Sequence, residues 1–306
     1  MNADRTLRLG REQTMPTVGF GTYLIRNEDA QSAVETALAS GYCHVDTAEI
    51  YRNEPGVGAA VRAFVGGEGT RERVFVTTKL WPGNPSGRKL PKTYAATLES
   101  LDMSLKRLGL EYVDLYLIHA PLTPEHRLEQ WRALVELRRL GRAKAIGVSN
   151  YGIAHLEEIH AAGLPMPDAN QIELHPWSQK PKLVSYLAER RITTIAYSSL
   201  VPLSTWRSAD GQRSAKTDEM RAEGEREDAP FRLLAKKHGV TEAQVLLRWA
   251  VQRGFAVLPK SARPERIRKN IDVFTFELDE SDMSAIAEMD RGDGVAWGRG
   301  DPVNAP

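Results

Sequence analysis

The chain has 306 residues, of which 42% are hydrophobic and 26% are charged, a composition typical of a globular protein with a large core. Its 41 basic and 40 acidic residues give a formal net charge of +1, which argues against nucleic acid or an anionic membrane as a partner. No export signal or membrane span is apparent, and the single cysteine, Cys43, suits a reducing compartment, so we expect a cytoplasmic protein.

The chain begins with a hairpin-like stretch, residues 5–16, which we expect to plug the floor of a barrel. Eight short β-branched runs follow and are predicted to be strands: 17–21, 43–46, 74–79, 113–119, 143–149, 168–172, 192–198 and 255–260. Amphipathic stretches lie between these strands and end at or beside a glycine, as helices often do; the clearest are 28–40, 92–109 and 125–141.

This alternation of strands and helices predicts a parallel sheet, and eight units in about 300 residues match one closed (β/α)₈ barrel. A doubly wound sheet would need a G-x-G-x-x-G turn after its first strand, and in GFGTYL the third glycine is replaced by Leu24. We find no linker, so a single domain over residues 1–306 is expected. A polar insertion, 201–229, follows the seventh strand and is expected to be either a lid over the cofactor or a surface loop.

Active sites of such barrels lie at the carboxyl ends of the strands, where this sequence carries many polar side chains. In chain order these residues are Asp46, Tyr51, Lys79, His119, Ser149, Asn150, Gln171, Tyr197, Ser198, Lys260 and Ser261. We therefore expect them to converge on one mouth of the barrel.

Four of these residues suit proton transfer. A free tyrosine has a pKa of about 10, and a neighbouring ammonium group lowers it. We expect Lys79 to lower the pKa of Tyr51 in this way, Asp46 to hold Lys79 by an ion pair, and His119 to orient a substrate oxygen. Such a site suits reduction of a carbonyl, and because no side chain supplies hydride, a nicotinamide cofactor is implied.

Taken alone, each of these residues also has an ordinary structural explanation. Asp46 could cap a helix, His119 could be a structural histidine, and Lys79 could be solvated. The four together are far more specific than any one of them. No spacing of histidine, cysteine and acidic residues indicates a metal site.

The chain resembles the aldo-keto reductases over nearly its whole length, most of all the bacterial diketo-gluconate-reductase-like and prostaglandin-synthase-like members. The motifs that carry the resemblance are GFGTYLI (19–25), HVDTAEIYRNEPGVGAAVR (44–62), VFVTTKLW (74–81), SLKRLGLEYVDLYLIHAP (104–121), AIGVSNY (145–151), NQIELHPW (170–177), IAYSSL (195–200), TEAQVLLRW (241–249) and LPKSARPERIRKN (258–270).

The resemblance implies that Tyr51 is the general acid, with Asp46 and Lys79 as its partners and His119 as the orienting residue. It also implies a small carbonyl or alcohol substrate, which contacts Tyr23, Tyr51, Trp81 and His119. Ala120 stands where the family usually has tryptophan, which predicts a wider pocket. Trp297, in the C-terminal tail, is expected either to cover the pocket or to pack on the rim.

NADP(H) is the cofactor that the resemblance implies. The residues expected to hold it are Gly21, Thr22, Tyr23, Asp46, Ser149, Asn150, Gln171, Tyr197, Ser198, Leu200, Lys260, Ser261, Arg266 and Asn270. Ser149, Asn150 and Gln171 match the family positions that hold the carboxamide group of the nicotinamide. Tyr197 matches the family's tyrosine on which the nicotinamide ring stacks. Independently, Pro264 marks a helix start that favours an anion, and Arg266 offers donors suited to the 2′-phosphate, so NADPH is favoured over NADH.

The leading hypothesis is therefore a monomeric NADPH-dependent carbonyl reductase. Two alternatives remain open at this point. The first is a sensor or regulatory subunit of the same fold that binds NADPH with little turnover. The second is an unrelated barrel enzyme that uses the Lys260 and Ser261 cluster for a substrate phosphate, although this would leave Gln171 and Tyr197 without a role.

Overall fold

The computed structural model describes residues 5–10, 13–67, 69–84, 89–203, 222, 226–292, 294–298 and 300–306. The strands in this part of the chain are β1 Thr6–Leu9, β2 Gln13–Pro16, β3 Phe20–Gly21, β4 His44–Asp46, β5 Phe75–Leu80, β6 Val113–Ile118, β7 Ala143–Ser149, β8 Ala169–Glu173, β9 Thr193–Tyr197 and β10 Ala256–Val257. The α-helices are α1 Asn27–Ala39, α2 Glu54–Gly66, α3 Tyr94–Leu108, α4 Arg127–Arg139, α5 Ile153–Ala161, α6 Pro181–Glu189, α7 Pro230–His238, α8 Glu242–Gln252, α9 Pro264–Ile271 and α10 Glu280–Ala287.

Strands β3 to β10 form one parallel sheet in which every strand pairs with its neighbour in the sequence. The first and last strands also meet, because Val18 bridges to Val257 in parallel and the Gly21 amide donates to the Pro259 carbonyl at 3.0 Å. These contacts close the sheet, so the predicted (β/α)₈ barrel is confirmed, with shorter first and eighth strands than expected.

The hydrophobic residues of the sheet divide between the inside of the barrel and the layer of helices around it. Along β6, Leu115 and Leu117 join the inner cluster, whereas Tyr116 and Ile118 pack towards the helices. This is the alternation that a strand produces when both of its faces are buried.

The N-terminal hairpin, β1 and β2, closes the floor of the barrel as predicted. Its residues Leu9 and Met15 are buried in the inner cluster. Its backbone is tied to the start of β9, where the Thr193 hydroxyl donates to the Arg8 carbonyl at 2.7 Å. The opposite end of the barrel, where the strands finish, is therefore the end available for a site.

The helices begin and end where local chemistry dictates. The hydroxyl of Thr93 caps α3 by accepting from the Ala96 amide, and Gly109 ends the same helix with a φ of 65°. Helix α2 passes so close to α3 that a Cβ on Gly58 would lie 2.0 Å from the Leu108 carbonyl oxygen, and only glycine fits there.

Of the polar insertion at 201–229, the structure describes residues 201–203, 222 and 226–229. Val201–Leu203 forms a 3₁₀ turn shortly after β9, and α7 starts at Pro230. Residues 204–221 and 223–225 lie outside the described residues, so the lid hypothesis stays a prediction. Among the described helices, none is long and apolar enough to cross a membrane.

Candidate active site

An ion pair between Lys79 and Asp46 lies at the centre of the site. Asp46 ends β4, Lys79 lies near the end of the adjacent β5, and Lys79 Nζ donates to Asp46 Oδ1 at 2.5 Å and to the Thr47 carbonyl at 2.9 Å. Both charged side chains are almost completely buried. Burial lowers the pKa of Lys79, and the charge and hydrogen bond of Asp46 oppose that shift.

Tyr51 lies beside this pair, on a single 3₁₀ turn, Glu49–Tyr51, that follows β4. Its Oη is 3.5 Å from Lys79 Nζ, the outer limit of a hydrogen bond. Burial, then the Asp46 carboxylate and then Tyr23, raise the pKa of Tyr51 well above 10. The pKa of Tyr51 is therefore raised and not lowered as expected, because burial and the negative charge of Asp46 both favour the neutral phenol.

His119 follows β6 and is fixed by its backbone amide, which donates to the Leu80 carbonyl at 2.9 Å. Its ring centroid lies 5.6 Å from that of Tyr51, edge to face. Burial, helped by the charge of Lys79, lowers the pKa of His119 well below 6.5, so the ring is neutral at physiological pH. Its buried Nδ1 has no hydrogen-bond partner within the described part of the chain.

Aromatic side chains form the wall of the mouth around Tyr51. The Tyr23 ring lies 5.0 Å from Tyr51, and the Trp81 ring lies 5.6 Å from His119. Tyr23 is 46% exposed and can be reached from solvent. The four residues predicted to contact substrate are therefore adjacent. Ala120, in contrast, is completely buried, so this position does not widen the exposed mouth as expected.

Trp81 is held by a contact that the sequence analysis missed. The carboxylate of Glu49, two residues before Tyr51, accepts the Trp81 amide at 3.1 Å and the Lys92 ammonium at 2.7 Å. A cleft of about 470 Å³ lies beside these residues and is also lined by Arg52. The short spacing between Glu49 and Tyr51 was visible in the sequence, but the partners of Glu49 lie on a distant loop.

The predicted carboxamide-binding residues form one hydrogen-bonded network at the ends of β7, β8 and β9. Ser149 Oγ donates to the Gln171 carbonyl at 2.8 Å, and Gln171 Nε2 donates to Asp46 Oδ2 at 2.8 Å. Asn150 Nδ2 donates to the His119 carbonyl at 2.9 Å, and Tyr197 Oη donates to Asn150 Oδ1 at 2.6 Å. The network therefore connects directly to the ion pair and to the histidine.

The remaining predicted cofactor residues line the same end of the barrel. At the end of β3, Gly21 is buried and the Thr22 hydroxyl donates to the Asp46 carbonyl at 2.9 Å. After β9, Ser198 has a φ of 58° and turns the chain before the half-buried Leu200. Both segments bring backbone close to the mouth.

The start of α9 suits a phosphate. Pro264 is its first residue, and the side chains of Lys260 and Arg266 are exposed there, whereas Ser261 and Asn270 are buried. Backbone amides at a helix start and cationic donors favour anions, so this donor set fits the phosphorylated end of NADP(H). Among the described residues, no group of three or more histidine, cysteine and acidic side chains is arranged to hold a metal ion.

Sequence analysis also missed Glu173 and left the role of Trp297 open. Glu173 is completely buried at the end of β8, and the Trp297 indole donates to Tyr197 Oη at 2.8 Å. An acidic residue at the end of a buried strand was the one signal available for Glu173. The contact of Trp297 spans 100 positions in the chain and leaves no local signal.

Comparisons with known proteins identify the family of the chain. The model of the aldo/keto reductase family matches residues 17–291. Methylglyoxal reductase DkgA of Escherichia coli (strain K12) is 37% identical over 287 residues, and an aldo-keto reductase of Mycolicibacterium smegmatis is 38% identical over 287 residues; each alignment covers 94% of both chains.

Solved structures give the same result. The aldo/keto reductase from Brucella melitensis is 41% identical, with a TM-score of 0.79 over 93% of this chain and 97% of that one. The aldo-keto reductase of Bombyx mori, solved in complex with NADP, is 31% identical, with a TM-score of 0.83 over 96% of this chain and 95% of that one. The chain therefore belongs to the aldo/keto reductase family.

Proposed function

We propose that this chain, an NADP(H)-dependent carbonyl reductase, uses Tyr51 as the general acid that protonates the substrate oxygen. The observation that carries the proposal is the contact of Tyr51 Oη with the buried Lys79 ammonium at 3.5 Å. The raised pKa keeps the phenol protonated and ready to donate, and the ammonium stabilises the phenolate that remains after donation.

His119 and the aromatic wall position the substrate in this proposal. The neutral imidazole of His119 lies edge to face beside Tyr51, with the ring centroids 5.6 Å apart, so it is placed to hydrogen-bond the carbonyl oxygen that Tyr51 protonates. Tyr23 and Trp81 enclose the carbon skeleton of a compact substrate. When bound, NADPH supplies the hydride to the carbonyl carbon.

The cofactor site that we propose runs from the hydrogen-bonded network to the start of α9. Ser149, Asn150 and Gln171 would hold the carboxamide end, and the Tyr197 ring would stack on the nicotinamide. Arg266 and Lys260 would hold the 2′-phosphate. The connected hydrogen bonds at one end and the exposed cations at the other support this arrangement.

For the substrate, we propose small, reactive aldehydes that carry a second carbonyl group, because several similar chains are named methylglyoxal reductases. The close aromatic rings at the mouth favour a compact molecule. We further propose a single-domain cytoplasmic monomer that does not bind nucleic acid, which the balanced charge and the single cysteine support.

The experiment that tests the function is NADPH oxidation with methylglyoxal and with an aromatic aldehyde, followed by absorbance. NADPH binding is measured separately by quenching of intrinsic fluorescence. We expect binding and turnover. Tight binding without turnover on any aldehyde would instead favour a regulatory subunit of the same fold.

Arg266→Ala tests the choice between the two nicotinamide cofactors. Loss of a charge-assisted hydrogen bond should raise the Kd for NADPH roughly 10- to 100-fold and leave the Kd for NADH nearly unchanged. Arg268→Ala is the matched control, because residues two apart on a helix point in different directions. Equal losses for NADPH and NADH would show that Arg266 is structural or contacts the part common to both.

A further inference from the structure

A buried carboxylate holds the C-terminal tail against the barrel. Glu173 is completely buried, and its oxygens accept the backbone amides of Val295 at 2.7 Å and of Ala296 at 2.9 and 2.8 Å. The Nε2 atom of His175 lies 3.0 Å from Glu173 Oε1. A buried charge needs donors of this kind, and here most of them are main-chain groups of the tail.

A second buried carboxylate fixes the tail six residues later. Asp301 is buried and forms an ion pair with Lys180, at the start of α6. Just before the first anchor, the backbone passes so close to both acids that a Cβ on Gly294 would lie 2.5 Å from Asp301 Oδ2 and 2.7 Å from Glu173 Oε2. The tail is therefore held in a socket formed by Glu173 and by the ion pair of Asp301 with Lys180, and it does not merely cover the rim.

Trp297 is the residue that this socket presents to the site. Its indole N–H donates to Tyr197 Oη at 2.8 Å, and Tyr197 Oη in turn donates to Asn150 Oδ1 at 2.6 Å. Asn150 Nδ2 donates to the backbone carbonyl of His119 at 2.9 Å. Three hydrogen bonds thus connect the tail to two proposed cofactor residues and to the main chain of the substrate-orienting histidine.

We propose that Trp297 is a positioning residue for the nicotinamide end of NADP(H). Held in place by Glu173, Trp297 gives the Tyr197 hydroxyl a second hydrogen-bond partner beside Asn150, so that the Tyr197 ring cannot swing away from the stacking position. Through Tyr197 it also orients Asn150. This inference rests on the proposed roles of Tyr197 and Asn150, and it makes the tail a part of the cofactor site.

Trp297→Phe tests the inference because it keeps an aromatic ring and removes the N–H donor. Loss of one neutral hydrogen bond should raise the Kd for NADP⁺ roughly three- to tenfold. Tyr197→Phe removes the hydroxyl that accepts the hydrogen bond from the Trp297 indole. If Trp297 acts through the Tyr197 hydroxyl, the variant with both changes should bind NADP⁺ no worse than Tyr197→Phe alone.

Trp131→Phe is the matched control for the loss of an indole donor. The Trp131 indole donates to the Pro165 carbonyl at 2.9 Å on the outer side of the barrel, so this variant should lose stability and keep the Kd for NADP⁺. An unchanged Kd in Trp297→Phe, or losses that add fully in the double variant, would overturn the inference. Failure of the proposed function would instead appear as wild-type protein that does not bind NADP(H).

The hydrogen bonds between Glu173 and the tail can be tested in the cofactor-free protein. Amide hydrogen exchange at Val295 and Ala296 should be slow in the wild type and at least tenfold faster in Glu173→Gln, which removes the charge that these amides face. Trp297→Phe leaves the socket intact, so exchange at both amides should stay slow in that variant, which also provides the test if Glu173→Gln does not fold. Fast exchange in the wild type would contradict the socket.

Discussion

Tyr51→Phe is expected to keep NADPH binding and to lower kcat for carbonyl reduction on the order of 10²–10⁴-fold, the usual contribution of a positioned general acid. The change removes one oxygen and keeps the ring that packs on Tyr23 and His119. Because burial raises the pKa of Tyr51, the wild-type phenol carries its proton at neutral pH, and its Oη lies 3.5 Å from the Lys79 ammonium.

The measurement is single-turnover oxidation of NADPH, with fluorescence titration to show that the cofactor still binds. Tyr186→Phe is the matched control, since its hydroxyl bonds Glu157 on the outside of the barrel at 2.6 Å. That variant should turn over at the wild-type rate. A Tyr51→Phe enzyme that retains most of its turnover would assign the acid role to another group.

The barrel and the convergence of the site residues were predictable because both follow from the order of elements. Strand and helix signals alternate along the chain, and the carboxyl ends of parallel strands must meet at one edge. Asp46, Lys79 and His119 each lie at or next to the end of a strand, so the fold alone brings them together. The sequence also marked the start of α9 through Pro264.

Electrostatics at the site could not be predicted in the same way. The pKa of Tyr51 depends on burial and on how Asp46 divides its charge between neighbours, and no motif reports either quantity. The same holds for Ala120: a small residue at this position indicates a wider pocket only if the position is open, and here it is buried.

Contacts of the C-terminal tail could not be predicted from the sequence for another reason. Glu173 and Val295 are 122 positions apart, and the hydrogen bond between them involves a backbone amide, which any residue except proline provides. A pattern in side-chain type therefore cannot reveal it. Gly58 is a similar case. Glycine is needed there because the backbone of Leu108, on the next helix, leaves no room for a Cβ.

Lys79→Met is expected to lower both stability and activity, because it leaves the Asp46 carboxylate buried without its cation. Within the described part of the chain, Gln171 Nε2 is then the side-chain donor left to the Asp46 carboxylate. Breaking a buried ion pair by removing one partner costs about 3–5 kcal/mol, which urea denaturation would show as a lower midpoint with an unchanged slope.

Adding Asp46→Asn to Lys79→Met separates the structural role of the pair from its chemical role. The double variant buries no unpaired charge, so most of the lost free energy of unfolding should return. Turnover should remain roughly 10²–10³-fold below the wild type, since no ammonium then stabilises the phenolate formed at Tyr51. Recovery of turnover together with stability would show that the pair serves the fold alone and that Tyr51 donates its proton without help from Lys79.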